Sequence, residues 1–413
     1  MLGNSLHDTT GNVVEIIDPG CHNLDSGPDF FNSKVKVNNT EWIGNVEIHV
    51  RASDWFKHGH HNDPAYDNVI LHVVGVSDKE VRRTDGTLIP QVEITMPENF
   101  FRTLGRLSED MDRLRCSSFL PTLPDINKTD WMETLTVERM QAKASHILDI
   151  FASVGNDWEQ TCFVILCRAF GFGINGDPFE QLGRSLPLKY LSRHSDNLLQ
   201  LEAMLFGQAG MLDSSLHILD DYYQTLCREY YFLARKYGLQ PMKRGVWKYA
   251  RTRPQNFPHR RIAYIAGFCE NGFSLFTKIR ENAFNLEKLQ QLFDVSLKGY
   301  WKNHFSFDTD ARNVSETLSK STIDLLTINL VIPLIYAYSS RTGAYEDGEK
   351  ALTLLTELPP ENNTFVREFK GLGIKVNDAA ASQAVIQLKK NYCDTRKCLY
   401  CRFGSYFLRV SSS

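Results

Sequence analysis

The stretch GPDFFNSKVKVNNTEWIGNVEIHV, residues 27–50, places one acid, Asp29, directly after a Gly-Pro and a second, Glu47, inside a strand-like alternation. His49 follows Glu47 by two, so both side chains leave the same face of that strand, roughly 7 Å apart by strand rise. Val46, Ile48 and Val50 take the other, apolar face. A hairpin turning near 38–44 brings the Asp29 carboxylate beside Glu47. Two hard carboxylate oxygens with water suit Mg²⁺ or Mn²⁺. Such an ion activates water and neutralises charge on a phosphodiester. Asp29 and Glu47 are therefore candidate metal ligands, and with His49 candidate catalytic residues.

The next segment, SDWFKHGHHNDPAYDNVILHV, crowds Asp54, His58, His60, His61, Asp63 and His72 into nineteen residues, with four of the chain's twelve histidines. Histidines serve as general acids, bases and metal ligands. This run follows the Glu47 strand directly and would flank the same cleft. His58 and His60 are the candidates to protonate a leaving oxygen or to add a ligand.

Near the end of the chain, NYCDTRKCLYCRFG holds Cys393, Cys398 and Cys401 within nine residues. The C-x2-C pair is a zinc-chelating knuckle, and three thiolates need a fourth ligand. Iron–sulfur clusters also take four cysteines. Cys116, in LRCSSF, is the first choice for the fourth and Cys21 the second. Cys162, Cys167, Cys227 and Cys269 lie in apolar helical stretches and read as core.

Residues 235–261, RKYGLQPMKRGVWKYARTRPQNFPHRR, carry nine Lys or Arg and no acid, in a chain of net charge −3. Tyr237, Trp247, Tyr249 and Phe257 are interleaved. Basic groups neutralise phosphates and rings stack on unpaired bases, which points to DNA or RNA as a partner. Arg251, Arg253, Arg260 and Arg261 are the expected phosphate contacts.

The elements that must position these residues change character along the chain. The first hundred residues read as strands: VVEII (13–17), KVKV (34–37), NVEIHV (45–50), the nearly all-apolar VILHVVGV (69–76) and QVEITM (91–96), with a turn at Asp85-Gly86. From about Trp131 the period is helical, with stretches near 157–170, 196–208, 212–237, 260–280, 286–297, 316–338 and 377–392. Pro-rich FLPTLPDINK (119–128) reads as the linker. The expected fold is α+β: a mixed-sheet domain over 1–118, a helical domain over 128–385 and a cysteine-bearing segment over 386–413. The apolar run Leu325–Tyr338 is too short for a membrane span and reads as a core helix. The start, MLGNSLHDTTG, lacks the regions of a signal peptide, so a cytoplasmic protein with mostly reduced cysteines is expected.

GPDF followed by VEIH resembles the PD-(D/E)XK nuclease superfamily signature, over roughly residues 18–76. The resemblance implies a restriction-endonuclease-like N-terminal domain, Asp29 and Glu47 as metal ligands, and a Lys where His49 stands. Lys34 or Lys36 on the neighbouring strand would then supply the missing charge. Some nucleases of that superfamily staple their chain ends with four cysteines. GPDF…VEIHVRASDWFKHGHHNDPAYDNVILHVV, with RPQNFPHRRIA and CLYC, also resembles, over nearly the whole chain, an uncharacterised bacterial family known as a domain of unknown function. That resemblance implies a short helical segment ahead of this start. The expected activity is metal-dependent phosphodiester hydrolysis. The alternatives are a catalytically degenerate nucleic-acid-binding scaffold with a structural cysteine site, and a zinc- or iron-dependent hydrolase of another substrate.

Overall fold

A computed structural model describes residues 6–23, 27–94, 114–213, 215, 218–250, 252–311 and 315–410. The chain is α+β and divides into two compact units, Met1–Arg115 with Tyr406–Ser413, and Cys116–Ser405.

The first unit is built on strands β1 (Leu6–His7), β2 (Val13–Asp18), β3 (Cys21–His22), β4 (Phe30–Val37), β5 (Thr40–Arg51), β6 (Val69–Val76) and β7 (Gln91–Glu93). They form one mixed sheet in the order β1-β2-β4-β5-β6-β7, with β3 beside β4. β4 and β5 are an antiparallel hairpin whose turn is Asn38-Asn39, with Asn38 at φ 51°. Asparagine tolerates that left-handed backbone better than other non-glycine residues. β5 to β6 and β6 to β7 are parallel, so the connection over residues 52–68 has to cross a face of the sheet. Asp85-Gly86 forms a turn, with Gly86 at φ 85°, but it joins only an isolated bridge between Arg82 and Leu88. β7 stops at Glu93, and Thr95 and Met96 lie outside the described residues.

From Glu47 to Val50 the alternation of β5 holds with its sides exchanged, while Val46, at a register shift, is buried along with Glu47. Glu47 and His49 are 5% and 8% exposed, whereas Ile48 and Val50 are 47% and 77% exposed. The cause is the crossover itself. Its short helix Asp54–Lys57 and two 3-10 turns, His60–Asn62 and Pro64–Tyr66, fold back over the polar face. Trp55 and Tyr66 from this cover pack with Val69, Val81 and Ile89. β6 is buried from Val69 to Val74, as a parallel strand covered on both faces must be.

The second unit is helical. Its linker-like start is ordered: a 3-10 turn, Leu120–Thr122, precedes a 29-residue helix, Asp125–Ser153, that begins directly after Pro124. A proline restricts the residue before it and leaves the next free to start a helix, so the proline run marks a helix entry. Helix Trp158–Phe170 is apolar on nearly all sides and belongs to the core, which Phe163 and Leu166 share with Phe206, Ile265, Trp301 and Leu334. Asp157, Asn197 and Asp220 cap helices by accepting from backbone N–H groups. Lys320–Thr342 is long and apolar enough to cross a membrane by length and composition, and most of it is buried in this core. Pro333 cannot donate to the Asn329 carbonyl, and the helix widens into a π-turn over Thr327–Val331 just before it.

Burial raises the Glu202 carboxyl to about 7, against an ordinary 4.5, while the Tyr222 hydroxyl donates to it. Between those values the folded chain holds a proton that the unfolded chain has released. Stability therefore falls as pH rises from about 4.5 to 7 and is level above. Glu202→Gln keeps an acceptor for Tyr222. It is expected to match the wild type at pH 4 and to exceed it by about 2–3 kcal/mol at pH 8, as read by urea unfolding.

Candidate functional site

Asp29 stands immediately before β4, after Pro28. Its Oδ2 accepts the backbone N–H of Ile48 at 2.9 Å, and its own N–H donates to Glu47 Oε2 at 3.1 Å. The register of β4 against β5 slips between Phe30 and Ser33. There the acid side chain takes the ladder position that a backbone carbonyl would otherwise fill. The two carboxylates are thus neighbours by construction.

The crossover delivers the histidines. Gly59, at φ 80°, makes the left-handed step that returns the chain toward the sheet. His60 then stacks on Tyr66 with ring centroids 3.8 Å apart, and its Nε2 lies 3.4 Å from Glu47 Oε1. His49 Nε2 lies 3.5 Å from the same oxygen and 3.1 Å from His58 Nδ1. One nitrogen each from His49, His58 and His60 falls within 4.8 Å of the other two, the one such group of possible ligands among the described residues. Trp55, fully buried, holds the rings of His49, His60 and His72 edge-on or tilted at 5.3–6.4 Å. His61 leaves the site and packs on Phe56.

A buried hydrogen-bond chain sets the state of His49. The Gln91 amide N–H₂ donates to Ser77 Oγ and the Lys79 carbonyl, which leaves its Oε1 facing His72 Nδ1 at 3.2 Å. His72 Nδ1 must therefore carry the proton, and its Nε2 accepts from His49 Nδ1 at 2.8 Å. His49 consequently presents an unprotonated Nε2 to the site. Burial, then the neighbouring His60 and His58, lowers the His49 pKa to about 4, and burial lowers His72 to about 4. Both rings are neutral at pH 7. Burial, with the Asp29 carboxylate beside it, raises Glu47 to about 7. Among the described residues no Lys or Arg nitrogen lies within 4.0 Å of either acid. Lone pairs and carboxylates thus converge without a compensating cation, which is the donor set that a divalent metal requires.

Gln91 carries no role in the sequence reading, and His72 enters it only as a member of the histidine-rich run. The signal for His72 is a lone polar residue inside an otherwise apolar buried strand, which must find a partner. Gln91→Leu removes the acceptor that fixes both tautomers. It is expected to lower affinity for Mn²⁺ or Zn²⁺ by about 10–100-fold in calorimetric titration, with Gln91→Glu losing less.

The remaining candidates are spread over the two units. Lys36 pairs across the sheet with Glu41 and Glu15, at the far end of β4. Strand rise puts it ~20 Å from Phe30, too far to supply charge at Glu47. Lys34 is also well along the strand, opposite Ile43 and Asp18. Arg260 is 1% exposed, and its guanidinium donates to the carbonyls of Trp301, His304 and Ser315. Arg261 is buried, bonded to Asn256 and packed over Phe172. These two arginines brace the helical unit and are closed to phosphate. Arg251 lies outside the described residues. Arg253 is exposed, as are Lys243, Arg244 and Lys248, and none of the four forms an ion pair with a carboxylate among the described residues. Trp247 is buried and donates to the Ala209 carbonyl, whereas Tyr249 is exposed.

All nine cysteines are free. Cys162, Cys167, Cys227 and Cys269 are buried, and Cys21 is exposed on β3. Cys116, Cys393, Cys398 and Cys401 are mutual electrostatic neighbours within the second unit. Burial, then Cys401 and Cys398, pushes the Cys116 thiol up to about 12. Burial, then Cys116, Cys401 and Cys398, raises Cys393.

Comparison with curated proteins and with solved structures gave no match. The match to a family model covers the acid pair, the histidines and the basic stretch, and ends ahead of Cys393: over residues 2–364 this chain belongs to the family described as Protein of unknown function (DUF2851).

Proposed function

We propose that the chain is a metal-dependent phosphodiesterase that acts on nucleic acid, with its first unit a nuclease-like domain of the PD-(D/E)XK kind. The observation that carries this reading is Glu47, beside Asp29, with its Oε1 within 3.5 Å of the Nε2 atoms of His49 and His60, which group in turn with His58. A divalent cation bound there would supply an activated water and neutralise charge on the scissile phosphate. The imidazole share of the donors favours Mn²⁺ or Zn²⁺ over Mg²⁺. Asp29, locked to the Ile48 N–H, fixes one carboxylate. Glu47 shares its Oε1 between His49 and His60. His58 is the exposed member of the set and would pass a proton to a leaving oxygen.

Lys243, Arg244, Lys248 and Arg253 support a nucleic-acid substrate, with Tyr249 as a ring for an unpaired base. Lys248→Ala and Arg253→Ala each leave one phosphate without its cation. Each should flatten the slope of log K against log salt by ~0.7–0.9, measured by fluorescence anisotropy. Cleavage of labelled single- and double-stranded DNA and RNA with Mn²⁺ or Zn²⁺, comparing wild type with Asp29→Ala and Glu47→Ala, tests the reading. It fails if the wild type cuts nothing, or if both variants cut as well as the wild type.

One observation favours a second reading, a nucleic-acid-binding protein without catalysis. His49 is neutral and among the described residues no cation stands beside the acid pair, so the charge that a Lys gives the nucleases it resembles is missing. Salt-sensitive binding that survives both substitutions, with no cleavage by the wild type, would select it.

A further inference from the structure

The four clustered cysteines have no part in the proposed hydrolysis, and their surroundings point to a ligand of their own. Cys116 sits in the turn ahead of helix Asp125–Ser153, and Cys393 ends the π-turn Lys389–Cys393. Cys398 and Cys401 lie on the tight turn that follows, after Arg396 at φ 58°. Gly404 is required there, because a Cβ would stand 2.2 Å from the Cys398 carbonyl oxygen. The backbone N–H groups of Phe403 and Gly404 lie beside the Cys401 thiol and offset part of the rise that burial imposes on it. The Trp131 indole N–H is also near that sulfur; Trp131 is 4% exposed and its nitrogen has no hydrogen-bond partner.

A neutral thiol is a weak acceptor and does not call for several buried donors. A ligating thiolate does, and its hydrogen bonds tune the group it holds. Four clustered thiolates would repel one another unless a cationic centre stood among them. A tetrahedral zinc site, with Zn–S near 2.3 Å, draws its sulfurs to within about 3.8 Å of one another. No three of these sulfurs meet even a 4.8 Å limit, since the one group that does among the described residues is His49, His58 and His60. The set is therefore too wide for a single ion.

We infer that Cys116, Cys393, Cys398 and Cys401 ligate an iron–sulfur cluster. This site is independent of the acid pair and of the proposed hydrolysis. The test is the full chain, expressed with iron supplied and purified without oxygen. The wild type should be brown, with broad visible absorption and with iron and acid-labile sulfide in equal amounts. Cys398→Ser and Cys401→Ser should lose most of the iron, and Cys21→Ser and Cys227→Ser should keep it. If a serine variant proves insoluble, Trp131→Phe removes one N–H donor from the site. It should retain iron and shift the reduction potential to a more negative value. A colourless wild type, zinc in place of iron, iron kept by both serine variants, or a Trp131→Phe potential equal to that of the wild type would overturn the assignment.

Discussion

Glu47→Gln should abolish cleavage and yet stabilise the metal-free protein. Activity should fall by more than about 100-fold, because a ligand is removed where removal of an outer partner alone costs 10–100-fold. The stability gain has a separate cause. Glu47 Oε1 faces His60 Nε2 and the lone pair on His49 Nε2, and Asp29 stands on its other side. An amide would still accept the Asp29 N–H, while its own N–H₂ would donate to nitrogens that now meet a carboxylate. Removal of one of two adjacent buried acids should then raise unfolding free energy by about 0.5–2 kcal/mol, the range typical of relieving strain at a functional site. A thermal scan with and without Mn²⁺ separates the effects: the wild type should gain Tm on metal addition, and the variant should start higher and gain little. A variant less stable than the wild type would show that the cluster is held together without a cation.

Arg260→Met should unfold the second unit readily. The buried guanidinium donates from Nη1 to the Trp301 and His304 carbonyls at 2.9 and 3.2 Å, and from Nη2 to the Ser315 carbonyl at 2.7 Å. The carbonyls of Trp301 and His304 lie on one segment and that of Ser315 on another, and the arginine adds to the Ser296–Thr317 bridge and the Leu297–Glu316 hydrogen bond that also join them. Its removal leaves three acceptors unpaired, and a loss of about 3–5 kcal/mol is expected in denaturant unfolding. Arg253→Ala, on an exposed side chain, should leave stability within about 0.5 kcal/mol of the wild type and weaken nucleic-acid binding. The two arginines thus separate a structural charge from a contacting one, although they lie seven positions apart in one basic stretch.

The acid pair was legible because period-2 alternation and a hairpin are local, and both Asp29 and Glu47 fall where that geometry places them. The direction of burial on β5 was not. Whether Glu47 or Ile48 faces inward depends on the face that residues 52–68 cover, and strand pattern carries no such information. Arg260 and Arg261 depart from the sequence expectation for a related reason. A run of cations without acids reads as a solvated surface, but a helix through the same run, Pro258–Cys269, turns both of them inward, where backbone carbonyls and an amide replace acids as partners. Gln91 left no trace in the sequence, since an amide acquires its role only through the imidazole that it meets. The α+β division was legible, from the change of period between residue 96 and about Trp131.

Every donor to the histidine cluster lies in the single stretch from Asp29 to Gln91, whereas the thiols close a loop from Cys116 to Cys393 that spans nearly the whole helical unit. Chain closure becomes costlier only with the logarithm of length, but the longer loop must also await the order of everything inside it. On the proposed reading, a polypeptide emerging from the ribosome would therefore bring the residues of the first site together well before those of the second, which must wait for Cys401.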